Sequence, residues 1–364
     1  MNKRESKTEL VRKAVIESII AGKYKAGEAL PSVEQLAKDF NVSKNTVSLA
    51  LSNLNENGIL EIAHGKYTRI TEKLTKPHIL IYSPVPYNLE TTPFWGEFYL
   101  GIKEVLETYP EFTYKLYTTV QLFVKEYVPA PLPERLDGIL LLGQGNYQEL
   151  NPFLRQVPRN CPVVSVFDNN QHQERSVPGA TPDFHPAMRE LAQHFRAAGV
   201  KRCAYVGHLG SPPGDPSHID REKLRIFEKN MRDCGIEVSP ELILSCSPNI
   251  ACGQTAIQAL MKQAGRLPEA IFLTSDNLGP GACKALRDAG LRVPEDILLA
   301  GCDNLPIGDF TVPSLTTIDL QRREQGRYAA EQLISAIRTG ALIRSRKFPT
   351  SLILRESTAE RTSP

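Results

Sequence analysis

The chain is short of several features that would each have named a class. It has one tryptophan and four methionines, and aromatics make up only 7% of its 364 residues. No apolar run approaches the roughly 18–20 residues that a membrane helix needs, so no membrane partner is expected. The start, Met1-Asn2-Lys3-Arg4-Glu5-Ser6-Lys7, has no continuous hydrophobic stretch and no small-residue cleavage site, which predicts a cytoplasmic protein rather than an exported one. The seven cysteines are scattered and none forms a C-x-x-C pair, so neither a zinc site nor a disulfide framework is expected. A reducing compartment fits. The sequence also lacks G-x-x-x-x-G-K-[ST], G-x-S-x-G and H-E-x-x-H. No cofactor, metal or catalytic residue is therefore assigned.

What is present is ample material for two or three domains. The net charge of +2 is unevenly shared: residues 1–76 hold 13 Lys/Arg against 9 Asp/Glu, and the remaining residues hold 30 against 32. A local basic excess is the footprint of a polyanion binder.

Leu10, Val11, Ala14, Val15, Ile16, Ile19 and Ile20 follow helical spacing. Ser32-Val33-Glu34-Gln35 predicts a capping box opening a short helix through Phe40. Asn41-Val42 makes a turn, Ser43 caps a second helix with Val47, Leu51 and Leu54 inward, and Asn57-Gly58 ends it. Two short helices with a tight turn read as a helix-turn-helix. The outer face of the second helix offers Lys44, Asn45, Thr46, Ser48 and Asn53, groups suited to phosphates and base edges. Ile59–Ile62 and Tyr67–Ile70 flank His64-Gly65-Lys66, a small hairpin with a basic tip, a wing. The candidate DNA contacts are Ser32, Ser43, Lys44, Asn45, Thr46, Ser48, His64, Gly65 and Lys66. The alternative is an ordinary helical hairpin with a solvated face.

Gly27-x-x-Leu30-Pro31-Ser32, Leu36-Ala37, Val42-Ser43-Lys44-Asn45-Thr46-Val47, Leu51-x-x-Leu54 and Asn57-Gly58 resemble the GntR-type winged helix over about residues 8–70. The chain departs from that pattern at Val33 and Lys44, where the family usually has Arg nearby or in place, and at Gly65-Lys66-Tyr67, where it has Gly-x-Gly.

A winged helix is thus expected over 1–72 and a polar linker over 73–77. From 78 onward, short apolar runs such as Ile79–Tyr82, Gly138–Leu142, Val163–Phe167, Cys203–Val206, Ala270–Leu273 and Ile297–Ala300 alternate with amphipathic segments of helical length. That predicts an α/β domain of βαβ units with parallel sheets, two Rossmann-like lobes rather than one. Ligands of open α/β sheets sit beyond the carboxyl ends of the strands. Those positions are Ser83, Gly143, Asp168, Gly207, Thr274-Ser275-Asp276 and Cys302-Asp303. Asp276 reads first as a helix cap. The Pro- and Gly-rich stretch from Gly207 to Asp220 reads as a mobile loop at a cleft mouth rather than a metal site.

Thr274-Ser275-Asp276-Asn277, Gly281-Ala282, Gly290-Leu291-Arg292-Val293-Pro294-Glu295-Asp296-Ile297, Gly301-Cys302-Asp303-Asn304 and Val312-Pro313-Ser314-Leu315-Thr316-Thr317-Ile318 resemble the effector domain of LacI/GalR repressors, related to periplasmic sugar-binding proteins. The resemblance implies a periplasmic-binding-protein-like fold over 78–364. Lobe 1 would take about 78–180 and 319–346, and lobe 2 about 181–318 and 347–357. It implies a cleft lined by Ser83, Phe94, Trp95, Asp168, Arg221, Lys223, Ser275, Asp303 and Gln321, with Lys223 where the family has Arg, Ser275 for Asn, and Leu320 or Gln321 near the usual Gln. A winged helix fused to such a domain is similar to the arabinose-repressor type. The expected function is a sequence-specific transcriptional regulator, a homodimer on operator DNA, controlled by a small effector such as a carbohydrate. The competing readings are a doubly wound α/β enzyme and a sugar-binding protein with a vestigial winged helix.

Overall fold

A computed structural model describes residues 6–63, 67–83, 92–118, 132–143, 153–167, 176–209, 218–263 and 266–360. The N-terminal unit is built from helices α1 (Lys7–Ile20), α2 (Val33–Asp39) and α3 (Lys44–Glu56) and strands β1 (Leu60–Ala63) and β2 (Tyr67–Ile70), paired antiparallel. Serines start all three helices. The hydroxyl oxygens of Ser6, Ser32 and Ser43 each accept a backbone N–H of the first turn, at 3.2 Å. The capping box at Ser32 is half made, because the Gln35 amide donates to Asp39 at 2.7 Å instead of reaching back. Val11, Val15, Ile16 and Ile19 of α1 pack on Val47, Leu51 and Leu54 of α3 and on Ile59, Leu60 and Ile70 of the hairpin. Leu10, expected on that apolar face, points out instead and is 52% exposed.

The expected boundary at 72/73 does not hold. Glu72–Leu74 forms a 3-10 turn, and Leu74 is buried in the winged-helix core. The next unit begins at His78.

That unit holds two parallel sheets. The first has strand order β4-β3-β5-β6-β7-β13, with β3 (His78–Ser83), β4 (Thr113–Thr118), β5 (Gly138–Leu142), β6 (Val163–Val166), β7 (Gly179–Asp183) and β13 (Arg346–Pro349), every pair parallel. Helices α4 (Pro93–Glu107) and α9 (Arg322–Thr339) pack against each other on it. Their approach needs glycine: a Cβ on Gly101 would meet the Arg323 carbonyl oxygen at 2.0 Å, and one on Gly326 would meet that of Phe98 at 2.1 Å.

The second sheet has order β11-β10-β8-β9, with β8 (Cys203–Gly207), β9 (Ile243–Ser245), β10 (Ala270–Leu273) and β11 (Leu298–Ala300). With it go α5 (His185–Ala197), α6 (His218–Asp233), α7 (Ile250–Gln263) and α8 (Gly279–Asp288). A two-stranded ribbon, β12 (Thr317–Asp319) with β14 (Ser351–Ile353), carries the chain between the lobes. The sheets set the crossings a few residues from the expected ones: β7 belongs to lobe 1 as far as Asp183, and Lys347–Pro349 pair with β7 rather than joining lobe 2. Among the described residues no helix is long and apolar enough to cross a membrane.

Candidate DNA interface and interlobe cleft

Residues of α3 divide cleanly. Val47, Ala50, Leu51 and Leu54 are buried, while Lys44, Asn45, Ser48 and Leu49 are exposed and Thr46 is half-buried. Ser32 and Ser43 spend their oxygens on caps, and the Ser43 and Thr46 hydroxyls lie 2.8 Å apart and bond to each other. The Lys44 ammonium donates to Glu34 of α2, an exposed pair that holds the Glu34 carboxyl below its ordinary range. Exposed pairs of this kind are weak, so a phosphate can displace Glu34. The strands of the wing form as expected, and its tip, His64, Gly65 and Lys66, lies outside the described residues.

In the larger unit the strand ends bring one polar cluster together. Lys223 on α6 and Asp303 after β11 are both buried. Burial works against the charge of Lys223, but Cys302, Asp303, Asp220 and Asp276 outweigh it and keep its pKa above the usual lysine value. The ammonium donates to the Thr274 carbonyl at 3.3 Å and lies 5.1 Å from the Phe184 ring centroid. Burial pushes the Asp303 carboxyl up, while Lys223, Arg322 and the Ser275 hydroxyl pull against it. Asp276 is no helix cap. It is fully buried, accepts from the Thr317 hydroxyl at 2.7 Å and from the Leu305 N–H at 2.7 Å, and burial with neighbouring Asp303 holds its carboxyl well above the ordinary range.

On lobe 1, Ser83 is buried at the end of β3. Phe94 and Trp95 open α4 and meet edge to face at 4.8 Å, both packing on Phe98 and Phe167. Trp95 covers Gly143, where a Cβ would sit 2.7 Å from the indole; only glycine fits there, and its φ is +91°. Asp168 lies outside the described residues, as does most of the loop after Gly207, although His208 meets Asp220 at 3.0 Å. Arg221 is half-buried on α6 and no contact joins it to the Lys223–Asp303 cluster among the described residues. Gln321 has a left-handed backbone (φ 53°) and turns its amide to the Pro349 carbonyl at 2.6 Å, away from that cluster.

Sequence reasoning missed the residue that joins the two sides. Arg322, 5% exposed, donates to the carbonyls of Pro93 and Phe94 in lobe 1 and of Asn304 in lobe 2, each at 3.2 Å. Its guanidinium carbon lies 5.3 Å from the Phe94 ring centroid. It lines a cavity of about 460 Å³ together with Pro93, Glu97, Asn304, Asp319 and the expected site residue Gln321, whereas Lys223, Ser275, Asp303, Phe94 and Trp95 are not among the residues that line it. The signal was its place in the first turn of a helix just beyond a strand end. Carboxylates, a lysine, a hydroxyl and aromatic faces on opposing lobes can hold a small hydroxyl-rich molecule.

Comparison with known proteins places both units. Residues 7–70 match the family described as bacterial regulatory proteins, gntR family, and residues 192–358 match the periplasmic binding protein-like domain. The chain thus joins a stretch that matches the gntR family of bacterial regulatory proteins to a later stretch that matches a periplasmic binding protein-like domain. The order of its modules is similar to that of the arabinose repressor AraR. Among curated relatives, the repressor MelR of Bacillus subtilis is 26% identical over 61% of this chain and 63% of its own length. The repressor CytR of Escherichia coli K12 is 30% identical over 64% of this chain and 66% of its own. The matched stretches therefore span slightly under two thirds of these two relatives. A LacI family regulator from Enterococcus faecium, solved with bound ribose, shares the fold with a TM-score of 0.61 at 21% identity, covering 78% of this chain and 99% of that one.

Proposed function

We propose that the chain is a cytoplasmic, non-enzymatic transcriptional repressor that binds operator DNA as a homodimer and releases it when a small carbohydrate occupies the interlobe cleft. The observation that carries this reading is the pairing, in one chain, of an exposed, serine-capped helix with a two-lobed domain in which Arg322 bridges Phe94 of one lobe and Asn304 of the other beside the buried Lys223 and Asp303. Two α3 helices of a dimer would enter successive major grooves of a near-palindromic site. Lys44 and the wing would hold the phosphate backbone while Asn45 and Ser48 face bases, the Thr46 hydroxyl being tied to Ser43. The outer side of α4, where Leu100 is 38% exposed, supports a dimer contact there. The ribose bound by the Enterococcus neighbour supports a sugar in the cleft. Ligand and DNA are coupled because the ligand binds the open and closed arrangements unequally.

The test is selection of a randomised duplex pool by the purified chain at fixed salt, with and without a panel of pentoses and hexoses. An enriched palindrome released by one sugar is the expected result. A palindrome that no sugar releases would overturn the carbohydrate reading, and absence of any enriched sequence would overturn the DNA-binding one.

A further inference from the structure

Base edges in the major groove select residue types. Guanine is met by Arg or Lys, adenine by Asn or Gln through N6 and N7, and the thymine methyl by an apolar side chain. The helix α3, KNTVSLALSNLNE, contains no arginine. Its one cation, Lys44, stands at the first helical position and is engaged with Glu34. The Thr46 hydroxyl is tied to Ser43. Asn45 is exposed, and among the described residues its amide has no hydrogen-bond partner. One turn later, Leu49 stands 56% exposed in the middle of a face that is otherwise polar. Positions i and i+4 lie on one side of a helix. Four residues rise about 6 Å. That is less than two base-pair steps of about 3.4 Å.

We infer that α3 reads neighbouring A·T pairs: the Asn45 amide takes an adenine edge, and Leu49 packs on the C5-methyl of a thymine within two base pairs of it. This rests on the DNA-binding reading above and adds the class of sequence that the helix accepts. A leucine exposed to water gains nothing there. Against a thymine methyl it removes apolar surface on both sides, and a pyrimidine lacking that methyl forfeits the gain.

The experiment uses the full chain and the duplex it enriches from a randomised pool. Each thymine is replaced in turn by deoxyuridine, which lacks only the methyl group, and binding is measured for the wild type, Leu49→Ala and Leu49→Met. One position per half-site is expected to weaken wild-type binding about threefold to fivefold. Leu49→Ala should lose that sensitivity, Leu49→Met should keep it, and Asn45→Ala should relax the choice of one neighbouring adenine by about tenfold. Leu49 is exposed, so its variants should melt with the wild type. A guanine at the Asn45-dependent position, or the same deoxyuridine profile in Leu49→Ala as in the wild type, overturns the inference and leaves the DNA-binding function standing. Failure of the wild type to enrich any duplex overturns that function first and this inference with it.

Discussion

Asp303 has φ 101° and Asn304 follows at 47°, so two consecutive residues other than glycine are held in the left-handed region. Such backbone costs of order 1–3 kcal/mol per residue and persists only where neighbours enforce it. Here they do: the Asp303 N–H donates to Ile318 at 2.9 Å, the Asn304 N–H to the Thr317 hydroxyl at 3.1 Å, and Arg355 donates to the Asn304 side-chain oxygen at 3.0 Å. The positive charge of Lys223 and the Ser275 hydroxyl favour the ionised Asp303 carboxyl held there. Replacing Asp303 by Asn keeps the shape and removes the charge, so ligand affinity should fall at least about tenfold while DNA affinity without ligand stays put. Trp95, the single tryptophan, packs in the aromatic cluster at the lobe 1 side of the cleft, so its emission reports the titration directly. Unchanged ligand affinity in this variant would remove Asp303 from the site.

At the scale of elements, the α4–α9 pair depends on two glycines. Gly326→Ala should lower the melting temperature, because a methyl group cannot share space with the Phe98 carbonyl; a cost of about 1–3 kcal/mol is expected from forcing the helices apart. A melting temperature equal to the wild type would mean that the helices separate freely. The join between β3 and β4 titrates. Burial chiefly depresses the His78 pKa below its ordinary value, Lys115 and Arg135 helping and Asp137 opposing, and the ring bonds the Thr113 hydroxyl at 2.8 Å. An unfolded chain takes the proton first, so His78 supports folding above about pH 6.5, and that support is lost as the pH falls toward the folded value. His78→Asn should flatten this acid limb in thermal melts; an unaltered limb would assign it to another group. The elements themselves were unevenly legible. The helix-turn-helix could be read because its signals are local: Ser32 and Ser43 cap, Gly58 stops, and the apolar spacing lies within 50 residues. The apolar strands β3, β5, β6, β8, β10 and β11 were equally plain. The lobe crossings were not, because β13 reads Arg-Lys-Phe-Pro and β7 reads Gly-Ala-Thr-Pro-Asp, with no apolar run to betray a strand. Asp276 was flagged by its position yet misassigned, since its partner Thr317 lies 41 residues away and only the fold brings the two together.

The whole molecule leaves little slack between its halves. Leu74 is locked in the winged-helix core and His78 begins the first strand of lobe 1, so Thr75, Lys76 and Pro77 alone join them. Three residues span at most about 11 Å. Arg135, beside lobe 1, donates to the Leu74 carbonyl at 2.5 Å while its other nitrogens grip Asp137, whose carboxylate in turn accepts the His78 N–H at 2.8 Å. Arg12 of α1 reaches across to Glu134. Under the proposed function, these polar contacts on both sides of a short link would carry a displacement of lobe 1 into the N-terminal unit. Inserting Gly-Ser-Gly-Ser between Thr75 and Lys76 should dissolve that link, since a flexible insert lets its ends wander by about 5–6 Å times the square root of its length. Ligand affinity read from Trp95 should not change. DNA affinity should fall, because the second half-site is presented less well, and the change in DNA affinity on adding ligand should shrink toward nothing. If the insertion variant kept the full ligand response, coupling would not run through residues 74–78 and the Arg12–Glu134 contact, and the closing lobes would have to act on the dimer contact alone.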